Sequence, residues 1–166
     1  ESTQLVALPA VVRGSALVVP SLRLSTGDRD AAPQTFARET ELVERRAVEA
    51  VLAAERALGR TPHEMPRNNP GYDVQSLDAE GRIHYIEVKG RIAGSDTFTI
   101  TTNEVTFAQT QADRHRLALV LVSPVDEEHD RLRYVLDAFA HIEPSATTRS
   151  YNEEWRDYWD RGGPPR

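Results

Sequence analysis

The middle of the chain alternates hydrophobic and polar positions in a way that predicts strands. Residues 72–77 and 82–90 have the period of two that is typical of half-buried strands, and the turn at 78–81 predicts an antiparallel hairpin. Residues 97–101 are rich in threonine and isoleucine, which favours a third strand. Residues 117–122 are apolar throughout, as expected of a central strand that is covered on both faces.

Two segments have the spacing of helices. Apolar side chains recur on one face from Thr40, the expected N-cap, to Gly59, where the helix is expected to end. Thr101 and Glu104 have the spacing of a capping box, which predicts a second helix over residues 103–113. The buried face of the first helix is predicted to consist of Val43, Ala47, Val51, Ala54 and Leu58. The predicted order is therefore helix, three strands, helix, strand.

The segments outside this core are shorter. Valine-rich runs at 5–12 and 16–19 predict a pair of strands, and the polar residues 25–34 predict a linker. Three prolines within 61–71 predict irregular structure there. We therefore expect three parts: an N-terminal strand segment with its linker (1–38), a core (39–124), and a C-terminal strand and short helix packed on the core (125–166).

The C-terminal part is predicted to contain a strand at 132–136 and a helix at 152–160. Trp155 and Trp159 lie four residues apart, so a helix places both on one face. We expect them to be packing anchors.

Composition describes a globular chain without a membrane segment. Of 166 residues, 39% are hydrophobic and 28% are charged, and no apolar run is long enough to cross a bilayer. The absence of cysteine excludes disulfides and thiolate sites and fits a cytoplasmic location. The net charge of -6 argues against general coating of nucleic acid, but it leaves room for metal ions that bridge acidic residues to phosphate. Because the chain begins with ESTQL rather than methionine, we expect it to be a piece of a larger protein.

The candidate chemistry centres on the single lysine of the chain. All other basic residues are arginine, and Lys89 is the exception. Alternation along the strand places Glu87 on the same face as Lys89. Lysine differs from arginine in being a compact ammonium that can act on one oxygen or one water. Taken alone, the pair is also explained by an ordinary salt bridge at the sheet edge.

Another charged residue, Asp73, lies at the start of the preceding strand and so reaches the same end of the sheet. The carboxylates of Asp73 and Glu87 suit Mg²⁺ or Mn²⁺, which prefer oxygen ligands and bridge to phosphate. Such an ion stabilises the negative charge that develops on a phosphodiester, while Lys89 positions the attacking water or neutralises that charge. These residues therefore predict metal-dependent phosphodiester hydrolysis.

An acid of the first helix is a further candidate, and two residues compete for the role. Glu44 falls in line with Val48 and Val51, so it is either solvated at the margin of the buried face or directed at a site. Glu55 lies on the same line. The sequence leaves the choice between Glu44 and Glu55 open.

Asp73, Glu87 and Lys89, on strands in this order, resemble the motif of the PD-(D/E)xK nuclease superfamily. Glu44 is similar to the glutamate that many members carry on their first helix. The resemblance implies an α/β fold with a mixed sheet, the restriction-endonuclease-like core, here with an N-terminal strand pair and a C-terminal extension. It implies catalytic roles for these four residues. It also implies that Mg²⁺ or Mn²⁺ is held by Asp73, Glu87, Glu44 and the backbone carbonyl of Val88.

Four residues near these positions are expected to contact the substrate: Tyr72, Arg91, Asn103 and Gln109. Asn103 and Glu104 stand at a helix start, where they either cap the helix or face the substrate, and the spacing accounts for Glu104 as a cap. A solvated helix face explains Gln109 equally well.

Longer strings narrow the resemblance. NPGYDVQS (69–76), IEVKGR (86–91) and TTNE (101–104) are similar to the nuclease-like domain at the C-terminal end of large bacterial Swi/Snf-type helicases linked to phage defence. This resemblance implies a DNA endonuclease domain in the bacterial cytoplasm. Its expected partners are DNA, a helicase or ATPase region in the same or a partner chain, and a second copy for cutting both strands.

Two other functions stay open. The first is a catalytically silent nuclease-like module that docks nucleic acid or a protein for a helicase; the negative charge favours it, and the complete set of two acids and a lysine argues against it. The second is glycoside hydrolysis by paired carboxylates, in which Lys89 has no evident role. The chain has no glycine loop for phosphate, so we do not expect it to hydrolyse ATP itself.

Overall fold

The computed structural model describes residues 32–92, 96–145 and 147–166, with side chains from residue 40 onward. The predicted succession of helix, three strands, helix and strand is confirmed, with one additional strand after the first helix. In chain order the elements are α1 (Ala32–Ala57), β1 (Thr61–Glu64), β2 (Val74–Leu77), β3 (Ile83–Ile92), β4 (Thr97–Thr101), α2 (Thr102–Thr110), β5 (His115–Val122), β6 (Arg131–Leu136), β7 (Ser150–Glu154) and α3 (Trp155–Arg161). The strand pair predicted within 5–19 lies outside the described residues.

Five strands form one mixed sheet in the order β1, β2, β3, β5, β6. Neighbouring strands are antiparallel except for β3 and β5, which run parallel. The connection from β3 to β5 contains β4 and α2, and β4 pairs with β7 in a separate antiparallel sheet of two strands. The mixed sheet and the β2–β3 hairpin expected from the sequence are thus confirmed.

The central strand β5 separates two hydrophobic layers. Leu117 and Leu119 pack into the layer that contains β4, α2 and α3, whereas Ala118 and Val120 pack into the layer beneath α1. All four side chains are fully buried. Burial of one such leucine or valine contributes about 1.5–3 kcal/mol. The strand is apolar throughout because both of its faces are covered.

A glycine sets how closely α1 approaches the sheet. A Cβ atom on Gly90 of β3 would lie 2.7 Å from the Cβ of Ala47 in α1. Such a distance is too short for two carbon atoms, so only glycine allows the helix this position. The contact brings α1 next to the end of β3, where the candidate residues lie.

The first helix differs from the prediction at both ends. It begins at Ala32 rather than at Thr40 and so includes the last residues of the predicted linker, because a proline in the first turn does not interrupt a helix. Gly59 follows the helix with a φ of 75°, as expected for a stop signal. Leu58 is 40% exposed, and Leu52 rather than Leu58 belongs to the buried face.

Two strands form where other structure was expected. The strand β1 lies within the proline-rich stretch, and an edge strand tolerates its proline because it needs hydrogen bonds on one side only. The strand β7 delays the start of α3 to Trp155, since residues 150–154 pair with β4. Trp155 and Trp159 stack at 5.9 Å between ring centroids, which confirms their role in packing. Among the described residues, no helix has the length and apolar character needed to cross a membrane.

Candidate active site

Asp73 is fixed beside β3 by two hydrogen bonds. Its backbone N–H donates to the carbonyl of Ile86 at 2.9 Å, and its side-chain Oδ2 accepts from the N–H of Val88 at 2.8 Å. Val74, the next residue, begins β2 and pairs with Ile86. The Asp73 side chain therefore continues the hydrogen bonding to the backbone of β3 just beyond the end of the β2–β3 pairing.

Glu87 and Lys89 flank that point on β3 and form an ion pair. Lys89 Nζ lies 2.6 Å from Glu87 Oε1. The Glu87 side chain is 2% exposed and that of Lys89 is 19% exposed. The same-face position predicted for the two residues is thus realised as a direct contact. A pair this deeply removed from water is costly to form, which is not expected of an ordinary salt bridge at a sheet edge.

These three residues line one cleft of about 350 Å³. Val88 and Glu44 line it as well, so the structure brings together all the residues that the resemblance assigned to catalysis and metal binding. Five parts of the fold contribute to the cleft: α1, the end of β1 with the loop that follows it, the residue before β2, the second half of β3, and the first turn of α2. The close approach of α1 to β3 accounts for the presence of Glu44.

The structure decides between the two acids of α1. Glu44 is exposed and lines the cleft. Glu55 is completely buried elsewhere, where its carboxylate accepts hydrogen bonds from the Tyr134 hydroxyl at 2.8 Å and from Arg60 at 3.1 Å. Glu55 is therefore a structural acid, and Glu44 is the one that reaches the candidate site.

The cleft carries more negative charge than its lysine balances. Burial raises the pKa of Glu87 well above its ordinary value, and the neighbouring charge of Asp73 acts in the same direction. Burial likewise raises the pKa of Asp73, against the hydrogen bond from Val88. The charge of Glu44 adds to this rise. Acids whose pKa is raised by burial and by neighbouring acids are stabilised when a cation enters beside them.

Lys89 remains a cation in this setting. Burial alone would lower the pKa of Lys89, but the charges of Glu87 and Glu104 outweigh it, so the pKa lies above its ordinary value. The side chain is therefore an ammonium group near neutral pH. It can donate hydrogen bonds and oppose negative charge, but it cannot accept a proton.

The residues present fit a divalent cation that keeps part of its water shell. Asp73 and Glu87 offer carboxylate oxygens, and Val88 offers its carbonyl, since the N–H and C=O of one strand residue point to the same side and its N–H is bonded to Asp73. Within the described ranges, no three acidic or histidine side chains are placed to hold one ion together. Two carboxylates with waters are a common arrangement for Mg²⁺.

Glu104, for which the sequence favoured a capping role over contact with the substrate, both caps α2 and lines the cleft. The predicted capping box is present, with Thr101 as the N-cap of α2. Yet Glu104 also lines the cleft, and its Oε1 lies 3.5 Å from Lys89 Nζ. Burial acts to raise the pKa of Glu104, but Lys89 and the N–H of Thr101 prevail, so the pKa lies below its ordinary value. The capping pattern concealed this contact because it already explained the glutamate.

The residues predicted to contact substrate divide into two groups. Arg91 lines the cleft. Tyr72 packs against Tyr85 at 4.8 Å between ring centroids, and Asn103 is exposed on the first turn of α2; neither is among the residues that line the cleft. The Gln109 amide donates to the main-chain carbonyls of Phe139 and Ile142, so it holds that segment and does not line the candidate cleft.

Two arginines at the cleft were not predicted. Arg45 donates to both carboxylate oxygens of Glu64, at 2.9 and 2.8 Å. Arg67 is 78% exposed and pairs with Glu41 at 3.0 Å. Both arginines line the cleft, and each is paired there with a glutamate. Arginines are numerous in this chain, and no sequence signal distinguishes these two from the others.

Known proteins offer two points of comparison. The family described as Protein NO VEIN, C-terminal, matches residues 43–135, more than half of the chain. Among solved structures, the fold is similar to Hjc of Archaeoglobus fulgidus, a Holliday junction resolvase from an archaeal hyperthermophile. That similarity has a TM-score of 0.48 and 16% sequence identity, and it covers 73% of this chain and 90% of the other. No curated protein matches the chain.

Proposed function

The chain belongs to the family of the NO VEIN C-terminal domain, and we propose that it is a metal-dependent DNA endonuclease domain that hydrolyses phosphodiester bonds. The observation that carries this proposal is the meeting of Asp73, Glu87 and Lys89 in one cleft, with Asp73 bonded to the β3 backbone between the other two. A surface that only binds nucleic acid has no need of a buried acid paired with the single lysine of the chain.

Asp73, Glu87 and the carbonyl of Val88 would hold Mg²⁺ or Mn²⁺, with water completing the coordination. When bound, such an ion supplies a Lewis acid that stabilises the negative charge developing on the phosphate. Glu44, which is exposed and lines the cleft, would assist through a water or a second ion. This division of roles agrees with the exposure of Glu44 and the burial of Glu87.

Lys89 would act as a fixed cation. Its ammonium group donates a hydrogen bond to the attacking water and so orients it towards the phosphate. The same group opposes the negative charge that develops as the water oxygen bonds to phosphorus and the P–O bond to the leaving strand breaks. The water releases a proton to solvent, and the leaving oxygen takes one up. Arg91 and the exposed Arg67 would contact the flanking phosphates, which supports the binding of a strand in a chain with a net charge of -6.

The experiment that tests the proposal is a cleavage assay with plasmid, linear duplex and single-stranded DNA, in Mg²⁺ or Mn²⁺. We expect the purified chain to cut at least one of these substrates and EDTA to stop it. Asp73→Asn should abolish cleavage. Asp113→Asn, which changes an exposed aspartate outside the cleft, should not. Undiminished cleavage by Asp73→Asn would overturn the proposal.

The cellular setting rests on the sequence strings at 69–76, 86–91 and 101–104 alone. We infer from them that the domain works beside a helicase or ATPase region in a bacterial system for phage defence or DNA processing, and that two copies pair to cut both strands. Cleavage measured with and without that helicase region, together with the mass of the chain in solution, tests both points. A monomer that cuts equally well alone would contradict them.

A second candidate function is a silent module that docks DNA or a protein for a helicase. The observation in its favour is the 2.6 Å contact of Lys89 with Glu87, which neutralises the buried acid without any ion. Calorimetric titration with Mn²⁺ separates the two functions. An absence of binding at millimolar Mn²⁺, in a folded protein that binds DNA, would favour the docking module.

A further inference from the structure

Glu104 uses its two carboxylate oxygens for different tasks. Oε2 accepts the backbone N–H of Thr101 at 2.6 Å, which completes the capping box of α2. Oε1 lies 3.5 Å from the ammonium nitrogen of Lys89. A capping glutamate needs only one oxygen for its cap, so the second oxygen is available for another role. Both the Glu104 and Lys89 side chains are only 19% exposed, and the contact is therefore poorly screened by water.

We propose that Glu104 is a positioning residue, which holds the Lys89 ammonium in the cleft with one oxygen while the start of α2 fixes the other. This inference rests on the proposed function, because it identifies the group that keeps the catalytic lysine in place.

The need for such a residue follows from the position of Glu87. Its Oε1 holds Lys89 at 2.6 Å, but the same carboxylate is a proposed ligand of the cation. One oxygen cannot serve the cation and the ammonium equally, and two cations near a single carboxylate repel each other. Glu104 provides a second anion, outside the proposed ligand set, to which the ammonium stays attached. Lys89 can then face a water rather than leave the cleft.

The helix α2, which carries Glu104, packs against the turn that precedes Asp73. Phe107, one turn further along α2, packs on the backbone of Gly71, two residues before Asp73. A Cβ atom on Gly71 would lie 2.7 Å from the Phe107 ring. The N–H of Thr102 also donates to the carbonyl of Arg149 at 3.0 Å. The oxygen that faces Lys89 is therefore carried by a helix packed against the turn that carries Asp73.

The single lysine makes a direct test practical. Protein labelled with ¹³C and ¹⁵N in lysine gives one set of side-chain NMR signals, all from Lys89. Glu104→Gln keeps an oxygen that accepts the Thr101 N–H but removes the charge that faces Lys89. Thr101→Ala, the matched control, removes the hydroxyl half of the cap and leaves the Glu104 carboxylate in place.

We expect Glu104→Gln to shift the Cε and Nζ signals of Lys89 and to speed proton exchange from its ammonium, with and without Mg²⁺. We expect Thr101→Ala to lower stability and to leave those signals near their original positions. In the cleavage assay, Glu104→Gln should lower kcat on the order of tenfold to a hundredfold and change KM little, as expected for a misplaced catalytic group.

Each outcome decides the matter. If the two variants shift the Lys89 signals equally, or if neither does, Glu104 is a cap only and the inference is overturned. If the wild type cuts no DNA but Glu104→Gln alone shifts the signals, the proposed nuclease function fails while the positioning contact stands. If Glu104→Gln fails to fold, Glu104→Asp replaces it in the test. Aspartate keeps the charge but shortens its reach, so it must shift the Lys89 signals and speed proton exchange from the ammonium, as expected of Glu104→Gln.

Discussion

The Val88 N–H donates to the carboxylate of Asp73 at 2.8 Å, and this bond extends the register of the β2–β3 hairpin into the cleft. It fixes Asp73 opposite the residue that separates Glu87 from Lys89. A slip of one residue in the pairing of β2 with β3 would turn Glu87 and Lys89 to the opposite face of the sheet. The hairpin register, rather than any single side chain, therefore brings the proposed catalytic groups together.

Replacement of the lysine tests the proposed fixed cation. Lys89→Met keeps the length of the side chain and removes its charge, so we expect cleavage to fall about 10²–10³-fold, the usual effect of losing one stabilising donor. Circular dichroism should show a folded protein, because the buried Glu87 can take up a proton once its partner is gone. Arg56→Met, at an exposed arginine outside the cleft, should cut DNA normally. Normal cleavage by Lys89→Met would contradict the role of the ammonium.

The two acids of α1 should respond in opposite ways. Glu55→Gln leaves Arg60 without its charge partner in a buried setting, so we expect a loss of about 1–3 kcal/mol of unfolding free energy in urea. Cleavage by Glu55→Gln should be unchanged at temperatures where the variant is folded. Glu44→Gln changes an exposed residue and should alter stability by no more than about 0.5 kcal/mol, yet it should weaken cleavage. The reverse pattern would show that the assignment of the two acids is wrong.

Gly90→Ala tests the contact between α1 and β3. The added Cβ would lie 2.7 Å from the Cβ of Ala47, so helix and strand must separate. We expect a loss of about 1–3 kcal/mol of unfolding free energy, together with weaker metal binding, because Glu44 moves with the helix. Gly163→Ala is the matched control, since no atom lies within 4 Å of its added Cβ. Equal stability of the two variants would contradict the close approach.

A buried histidine should make stability depend on pH. His115 is 2% exposed beneath Phe107 and Phe139, and burial lowers its pKa from 6.5 to about 4, with Arg116 adding to the effect. The unfolded chain therefore takes up this proton before the folded protein does. Stability from this source is complete above pH 6.5 and is lost as the pH falls towards 4, by about 3 kcal/mol in total.

Urea unfolding of His115→Phe at pH 7 and at pH 4.5 measures this effect. The variant should lose less stability between the two pH values than the wild type does. His63→Gln, at an exposed histidine of β1, should behave like the wild type. If His115→Phe and the wild type show the same dependence on pH, the histidine is not the source.

The sequence predicts those parts of the site that depend on local pattern. Alternation along β3 places Glu87 beside Lys89, and the scarcity of lysine draws attention to the pair. The burial of Glu55 could not be predicted, because it depends on the Tyr134 hydroxyl, 79 residues away along the chain. Gln109 was misjudged for the same reason, since its acceptors lie 30 and 33 residues further on. Periodicity within one helix contains no information about such distant partners.

Local rules were also misleading where a second cause acted on the same residues. Three prolines argue against regular structure at 61–71, but pairing with β2 on one side is enough to form β1. The capping box explains Glu104 completely within four residues, and its contact with Lys89 becomes evident only when β3 and α2 are seen together. The expectation of irregular structure was therefore wrong for β1, whereas the capping interpretation of Glu104 was correct but incomplete.

An anomalous diffraction map from crystals of the chain soaked in Mn²⁺ shows whether Asp73 and Glu87 share an ion. We expect one peak within about 2.0–2.4 Å of an oxygen of Asp73 and an oxygen of Glu87, with Lys89 turned towards Glu104, and no such peak in Asp73→Asn. If the map has no peak between these two carboxylates at saturating Mn²⁺, or has its strongest peak outside the cleft, the two acids do not form a metal site.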